Sequence, residues 1–202
     1  MEKDQSFSHM IWDSTTIQPI HDDITPPRTD RGSYVVRYLH VGEIPGKYSV
    51  GIFVFPPNAC IPLHDHPGMC VLSRVLYGDL QRTSMDLVPN LKSRSSWRSL
   101  LFPVSSSSKT SHQVTNIRDD HLQAPDITML FPREGNVHKF VAGPHGAAIL
   151  DVLLPPYSGA DQRDCTFYTV KEEQGGVYWI HATGQPEDFH CLSGSYRDFG
   201  ET

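Results

Sequence analysis

This chain has no CxxC pair, no long apolar run and no surplus of basic residues, and each absence removes a class of protein. Its four cysteines, Cys60, Cys70, Cys165 and Cys191, stand far apart in the sequence, which argues against a zinc ribbon and a thioredoxin-type redox pair. No apolar stretch approaches the roughly 18 residues that a membrane-spanning helix requires. The opening residues, MEKDQSFSHMIWDS, carry acids and no apolar core of a leader, so neither a membrane span nor a secretory signal is expected. Lys and Arg total 17 against 23 Asp and Glu, a net charge of −6. That balance leaves no polybasic character to hold nucleic acid or an anionic membrane. A monomer with reduced thiols is expected, cytoplasmic and with the nucleus as a second compartment.

What remains is a loop-rich globular chain of 202 residues, 38% apolar, with 15 Gly and 16 Pro. Residues 1–33 are polar and broken by Pro19, Pro26 and Pro27, and they read as an arm draped over a domain. From Tyr34 the texture changes to short β-branched and aromatic runs, among them YVVRYLHV, YSVGIFVF, CVLSRVLYG, DITMLF, VHKFVA and AAILDVLL, separated by Gly, Pro, Asn and Asp. Many short strands with no long amphipathic helix between them predict an all-β sandwich or barrel. One domain is expected over residues 34–202. Within it, residues from about 89 to 126 are too polar for a core and too long for a hairpin loop. They read as an insertion carrying one strand near Leu100–Val104 and a serine-rich tip at Ser105–Ser108.

Histidine is the unusual residue, with 11 copies. In Leu63-His64-Asp65-His66-Pro67, the two histidines are two apart, so on a strand both would face one side while Asp65 turns away. Two imidazoles one pleat apart can chelate one divalent ion. A third ligand should come from a strand distant in sequence, and His138 is the best candidate, because the Pro132–Gly135 turn would deliver it onto the next strand. His145 reads as a turn tip. His112, His121, His181 and His190 read as surface or packing residues.

Two segments resemble the paired motifs of the cupin superfamily: His64-x-His66 followed by a strand ending at Gly78, and Pro132…Gly135…His138. Cys70 and Val71 stand where that pattern has a glutamate. Three neutral imidazoles without a carboxylate would leave a bound metal its full charge and favour an anionic ligand such as a thiolate. IPLHDHPGM, VLYGDLQRTSMD, NVH, AAILDVLLPPYS, CTFY and PEDFHCLSGSYR further resemble the thiol dioxygenases related to cysteamine dioxygenase and the plant cysteine oxidases. The likeness runs from about Val41 to Arg197.

The resemblance implies a cupin-type double-stranded β-helix, a jelly-roll barrel, binding non-haem Fe(2+) through His64, His66 and His138. It implies that both atoms of O2 enter a thiol to give a sulfinate. The substrate would be the N-terminal cysteine of proteins or peptides, in an oxygen-sensing role that feeds the N-degron route, or alternatively cysteamine. It also implies active-site roles for Asp151, Tyr157 and Cys165. In relatives a Cys-x-Tyr arrangement can form a thioether, but here Phe167 takes the second position and Tyr168 falls on the opposite strand face, so no such crosslink is expected. A non-catalytic metal-binding cupin stays open as a reading of another class, and a metal-dependent isomerase ranks last.

Overall fold

The computed structural model describes residues 35–88, 111–173 and 176–196. Their regular structure is ten strands and one short 3-10 turn, Gly159–Asp161. The all-β expectation holds. The strands are β1 (Val35–Ile44), β2 (Tyr48–Phe55), β3 (Cys60–His64), β4 (Cys70–Leu87), β5 (Ser111–Gln123), β6 (Ile127–Leu130), β7 (Val137–Leu154), β8 (Phe167–Glu173), β9 (Val177–Thr183) and β10 (His190–Ser195). The hydrogen-bonded order is β10-β1-β2-β7-β3-β8-β9-β5-β4-β6. A further pairing of β7 with β4 closes the sheet on itself, so its inward face can line a common core.

Two 18-residue strands, β4 and β7, are the spine. They run antiparallel from Cys70 opposite Leu154 to Met85 opposite Val137. Each bends midway, and glycine makes the bend possible. Gly78 and Gly146 both have positive φ, at 66° and 76°, where a β-carbon is strained. A β-carbon on Gly78 would also run into the Gly146 carbonyl. One half of β7 can therefore pair with β2, at residues 147–153, and the other with β3, at residues 138–141. The strands alternate as a half-buried sheet should. On β7, His138, Phe140 and Ala142 point inward, and beyond the bend so do Ile149, Asp151 and Leu153. Leu80, Val75, Ile149 and Phe140 anchor the main core, which Phe189 of the C-terminal segment completes.

Two departures from the sequence expectation matter. The stretch assigned to an insertion is part of the barrel from Ser111 to Gln123: β5 pairs with β4 over eight positions and with β9 over four. Its exposed middle is so polar, with Arg118 and Asp119 followed by Asp120, that its apolar signal shrinks to Val114 and Leu122, both buried. The strand expected near Leu100–Val104, the serine tip and the N-terminal arm lie outside the described residues. The C-terminal segment, which shows no clear period, supplies two strands, and β10 pairs parallel to β1.

Gly78→Ala is expected to destabilise the barrel by more than about 2 kcal/mol, since strain at positive φ and a backbone collision add together. Urea unfolding measures this, and an unchanged midpoint would contradict the proposed bend.

Candidate metal centre

The first histidine is placed by a defect in β3. Ile61 pairs with Phe140, but His64, three residues on, pairs with His138, only two residues back along β7. The extra residue falls at Pro62–Leu63, and Pro62 has no N–H to lose from the ladder. This bulge sets His64 directly opposite His138 and leaves the Pro62 carbonyl free. The His64 ring accordingly donates Nδ1–H to that carbonyl at 2.8 Å, turning Nε2 the other way.

His66 lies past the end of the strand, so the simple two-residue pleat does not describe it. Its backbone is clamped instead by Asn136, a buried residue two before His138. The Asn136 side chain accepts from His66 N at 3.0 Å and donates to His66 O at 2.8 Å. Asp65 does turn away from the two histidines, as expected, but into a buried anchor. Its carboxylate accepts from Thr166 N at 2.9 Å and from the Tyr168 hydroxyl at 2.8 Å. Burial raises the Asp65 pKa and these bonds oppose the rise. Phe167 and Tyr168 thus face opposite ways, Phe167 toward His64 and Tyr168 toward Asp65.

His138 follows the Pro/Gly turn as expected. Asp86 holds that turn by accepting from Gly135 N at 2.6 Å, and the Gly135 carbonyl in turn meets the His138 ring.

The three rings converge. Their centroids are 4.7 to 5.0 Å apart, and one nitrogen from each lies within 4.8 Å of the others, the scale of one ion's coordination sphere. All three side chains are buried. Desolvation lowers the pKa of each, taking His66 and His138 well below the ordinary value, and the neighbouring rings add to it at those two. The rings are therefore neutral at neutral pH, the form that ligates.

Whether this set suits a metal is decided by His66. The Tyr157 hydroxyl donates to the Asp65 carbonyl at 2.8 Å, so its oxygen accepts from His66 Nδ1–H, also at 2.8 Å. That fixes the tautomer and leaves the lone pair on Nε2. This Nε2 is fully buried and has no hydrogen-bond partner. A buried acceptor without a partner is costly, and a shared cation is the partner that the geometry offers. Three imidazoles, each held on its outer side, are the arrangement of a metal centre with ordered outer-sphere contacts. No carboxylate belongs to the cluster among the described residues. Where one would fall, Val71 is core and Cys70 begins β4.

The other residues implied by the resemblance lie around this trio. Tyr157 touches it directly. The Cys165 sulfur lies close to the Tyr157 hydroxyl, and although the residue is exposed, desolvation at the sulfur pushes its pKa up to about 11, so it is a neutral thiol. Asp151 makes no hydrogen bond to the histidines, and its charge reaches Tyr157 through space. It sits on β7 between Gly51 and Ser73. Burial pushes its carboxyl up to about 6, against a hydrogen bond from Ser73, and Oδ1 has no partner. The sequence reading did not single out Asn136 or assign Asp65 and Tyr168 their anchoring roles. The only local signal was an acid between two histidines.

The comparisons with known proteins identify the family. A family model described as PCO_ADO matches residues 7–199. The chain belongs to that family. Among its relatives, a probable 2-aminoethanethiol dioxygenase of Dictyostelium discoideum is 38% identical over 72% of this chain and 60% of its own length. The 2-aminoethanethiol dioxygenase of Mus musculus is 32% identical over 80% of this chain and 69% of its own. Plant cysteine oxidase 1 of Arabidopsis thaliana is 33% identical over 83% of this chain and 59% of its own. The chain thus spans about three fifths of the length of the first of these relatives. Among solved structures it is similar to a cupin superfamily protein of Desulfitobacterium hafniense, with a TM-score of 0.39 and 12% identity over 60% of this chain and 78% of that one.

Asp151 yields a pH prediction for the metal-free chain. Its folded pKa of about 6 lies above the ordinary 3.8, so the folded state binds the proton more tightly than the unfolded state. The penalty is small at pH 4, builds between about pH 4 and 6, and levels off at about 3 kcal/mol at neutral pH. Asp151→Asn should therefore gain stability in urea melts at pH 7 and almost none at pH 4. An equal gain at both would assign the effect to packing.

Proposed function

We propose that this chain is a non-haem Fe(2+) thiol dioxygenase that oxidises the N-terminal cysteine of proteins or peptides to cysteine sulfinic acid. The observation that carries the reading is the cluster of three buried, neutral imidazoles with no carboxylate among them. Such a set adds no negative charge, so the bound ion keeps its full attraction for a thiolate. Ferrous iron held by His64, His66 and His138 would supply the redox chemistry that lets O2 react with a thiolate.

The overall change is balanced without a further reagent. The thiol and one O2 become a sulfinic acid, the sulfur giving up four electrons and both oxygen atoms accepting them. The protein's part is placement. Tyr157 holds the His66 ring in one tautomer, and its hydroxyl carries a proton beside the reacting space. Asp151 supplies a buried carboxyl whose charge is felt at Tyr157 and Tyr38, suited to receive a substrate ammonium. The Cys165 thiol stays protonated against Tyr157 and so does not compete as an anionic ligand. On this reading the sulfinate product would mark a regulator for the N-degron route, and O2 supply would set its lifetime.

A second reading has its own support. Two of the relatives above bear the name 2-aminoethanethiol dioxygenase, which favours cysteamine as substrate.

The test is mass spectrometry of iron-loaded protein given a Cys-initiated peptide or cysteamine in separate aerobic reactions, with iron content measured in parallel. The proposal expects a gain of two oxygen atoms on the peptide, and expects His138→Ala to lose both retained iron and that gain. Oxidation of cysteamine alone favours the second reading. Full turnover by the variant would remove His138 from the ligand set.

A further inference from the structure

A cavity of about 220 Å³ lies between the end of β1 with its following turn and the segment that follows β7, and Tyr157 is the lining residue that also touches the histidine cluster. The end of β1 contributes Glu43, the turn after it Pro45 and Gly46, and the segment after β7 Pro156, Tyr157, Asp161 and Arg163. Tyr157 is the wall it shares with the metal centre, since the same hydroxyl reaches His66 Nδ1 at 2.8 Å.

The charges in this cavity are not balanced. The Arg163 guanidinium is taken by Asp161 at 2.9 Å and by the Pro156 carbonyl at 3.4 Å. Glu43 forms no ion pair among the described residues. Its charge and that of the buried Asp151 both act on Tyr38, where each raises the hydroxyl's pKa. The lining of this cavity is therefore net negative, with the Glu43 carboxylate uncommitted.

Cysteamine ends at its ammonium and has no atoms to place in a second cavity. A peptide that presents its N-terminal sulfur to the histidines must lead the following residues away, and this cavity adjoins the centre at Tyr157. We infer that the cavity between the Glu43–Gly46 turn and Pro156–Arg163 receives the residues that follow the N-terminal cysteine of a peptide substrate, and that Glu43 selects for positive charge among them. The inference rests on the N-terminal cysteine reading above and adds to it a sequence preference. The cavity has room for a short extended stretch of peptide and is too small for a folded partner. A lysine or arginine there would meet Glu43, and an acidic residue would be repelled.

The experiment offers iron-loaded protein an equimolar mixture of two peptides, Cys-Gly-Gly-Lys and Cys-Gly-Gly-Glu, both amidated, and follows the two sulfinates by mass spectrometry. The ratio of their rates is independent of how much protein is folded or loaded. The expected ratio favours lysine by roughly twofold to fivefold at low salt, the scale of one exposed charge pair, and shrinks as salt is raised. Glu43→Gln should bring the ratio near unity and Glu43→Lys should invert it. A ratio near unity in the unmodified protein, or one that both variants leave in place, overturns the assignment of Glu43. If cysteamine is oxidised and neither peptide is, the N-terminal cysteine reading fails and the cavity's role fails with it.

Discussion

Three imidazoles held neutral, out of water and pointed at one place are the constraint around which this barrel is arranged. Burial alone would favour apolar side chains at these positions. An unpartnered buried polar atom costs about 1–3 kcal/mol, and His66 carries one. The fold keeps that atom because each ring is held from behind: His64 by the Pro62 carbonyl, His66 by Tyr157, and His138 by the Gly135 carbonyl. With their outer sides engaged, the inner sides have one natural partner, a shared cation. The same desolvation that holds the rings neutral strengthens their attraction to a cation once it is bound.

The rest of the structure serves this arrangement through backbone rather than bulk. A bulge at Pro62–Leu63 sets His64 opposite His138. Asn136 fixes His66 through both its amide and its carbonyl. Asp65, turned away from the histidines into a buried pocket, ties the same loop to the start of β8 through Thr166 and Tyr168, and Asp86 holds the turn that precedes β7. Each of these groups is a buried polar residue whose partners are other polar groups of the loops, so the network is rigid only as a whole. That is why three converging histidines can be held at the end of a short five-residue strand.

Much of this could be read from the sequence, and what could not has physical reasons. The strand texture and the scarcity of helix pattern gave the all-β class, and the HxH pair with a histidine behind a Pro/Gly turn gave the three converging rings. Strand β5 was hidden because Thr115 through Asp119 are exposed whichever way they face, while only Val114 and Leu122 are buried. Period-2 alternation is weak evidence when the buried side supplies two residues in thirteen. The bulge was hidden because a two-residue spacing reads as a regular pleat, and only the pairing partner reveals an extra residue. Asn136 gives no signal in one sequence, since its role is to satisfy backbone groups 70 residues away. Asp151, Tyr157 and Cys165 were reached through family resemblance, not through any pattern of their own.

The most direct measurement of the central claim is iron K-edge X-ray absorption on the chain reconstituted anaerobically with equimolar ferrous iron. The account predicts ring scattering from the imidazoles of His64, His66 and His138, with the remaining near neighbours supplied by solvent oxygen. A spectrum with fewer imidazoles, or with a protein carboxylate replacing one, would contradict the claim that these three histidines alone hold the ion.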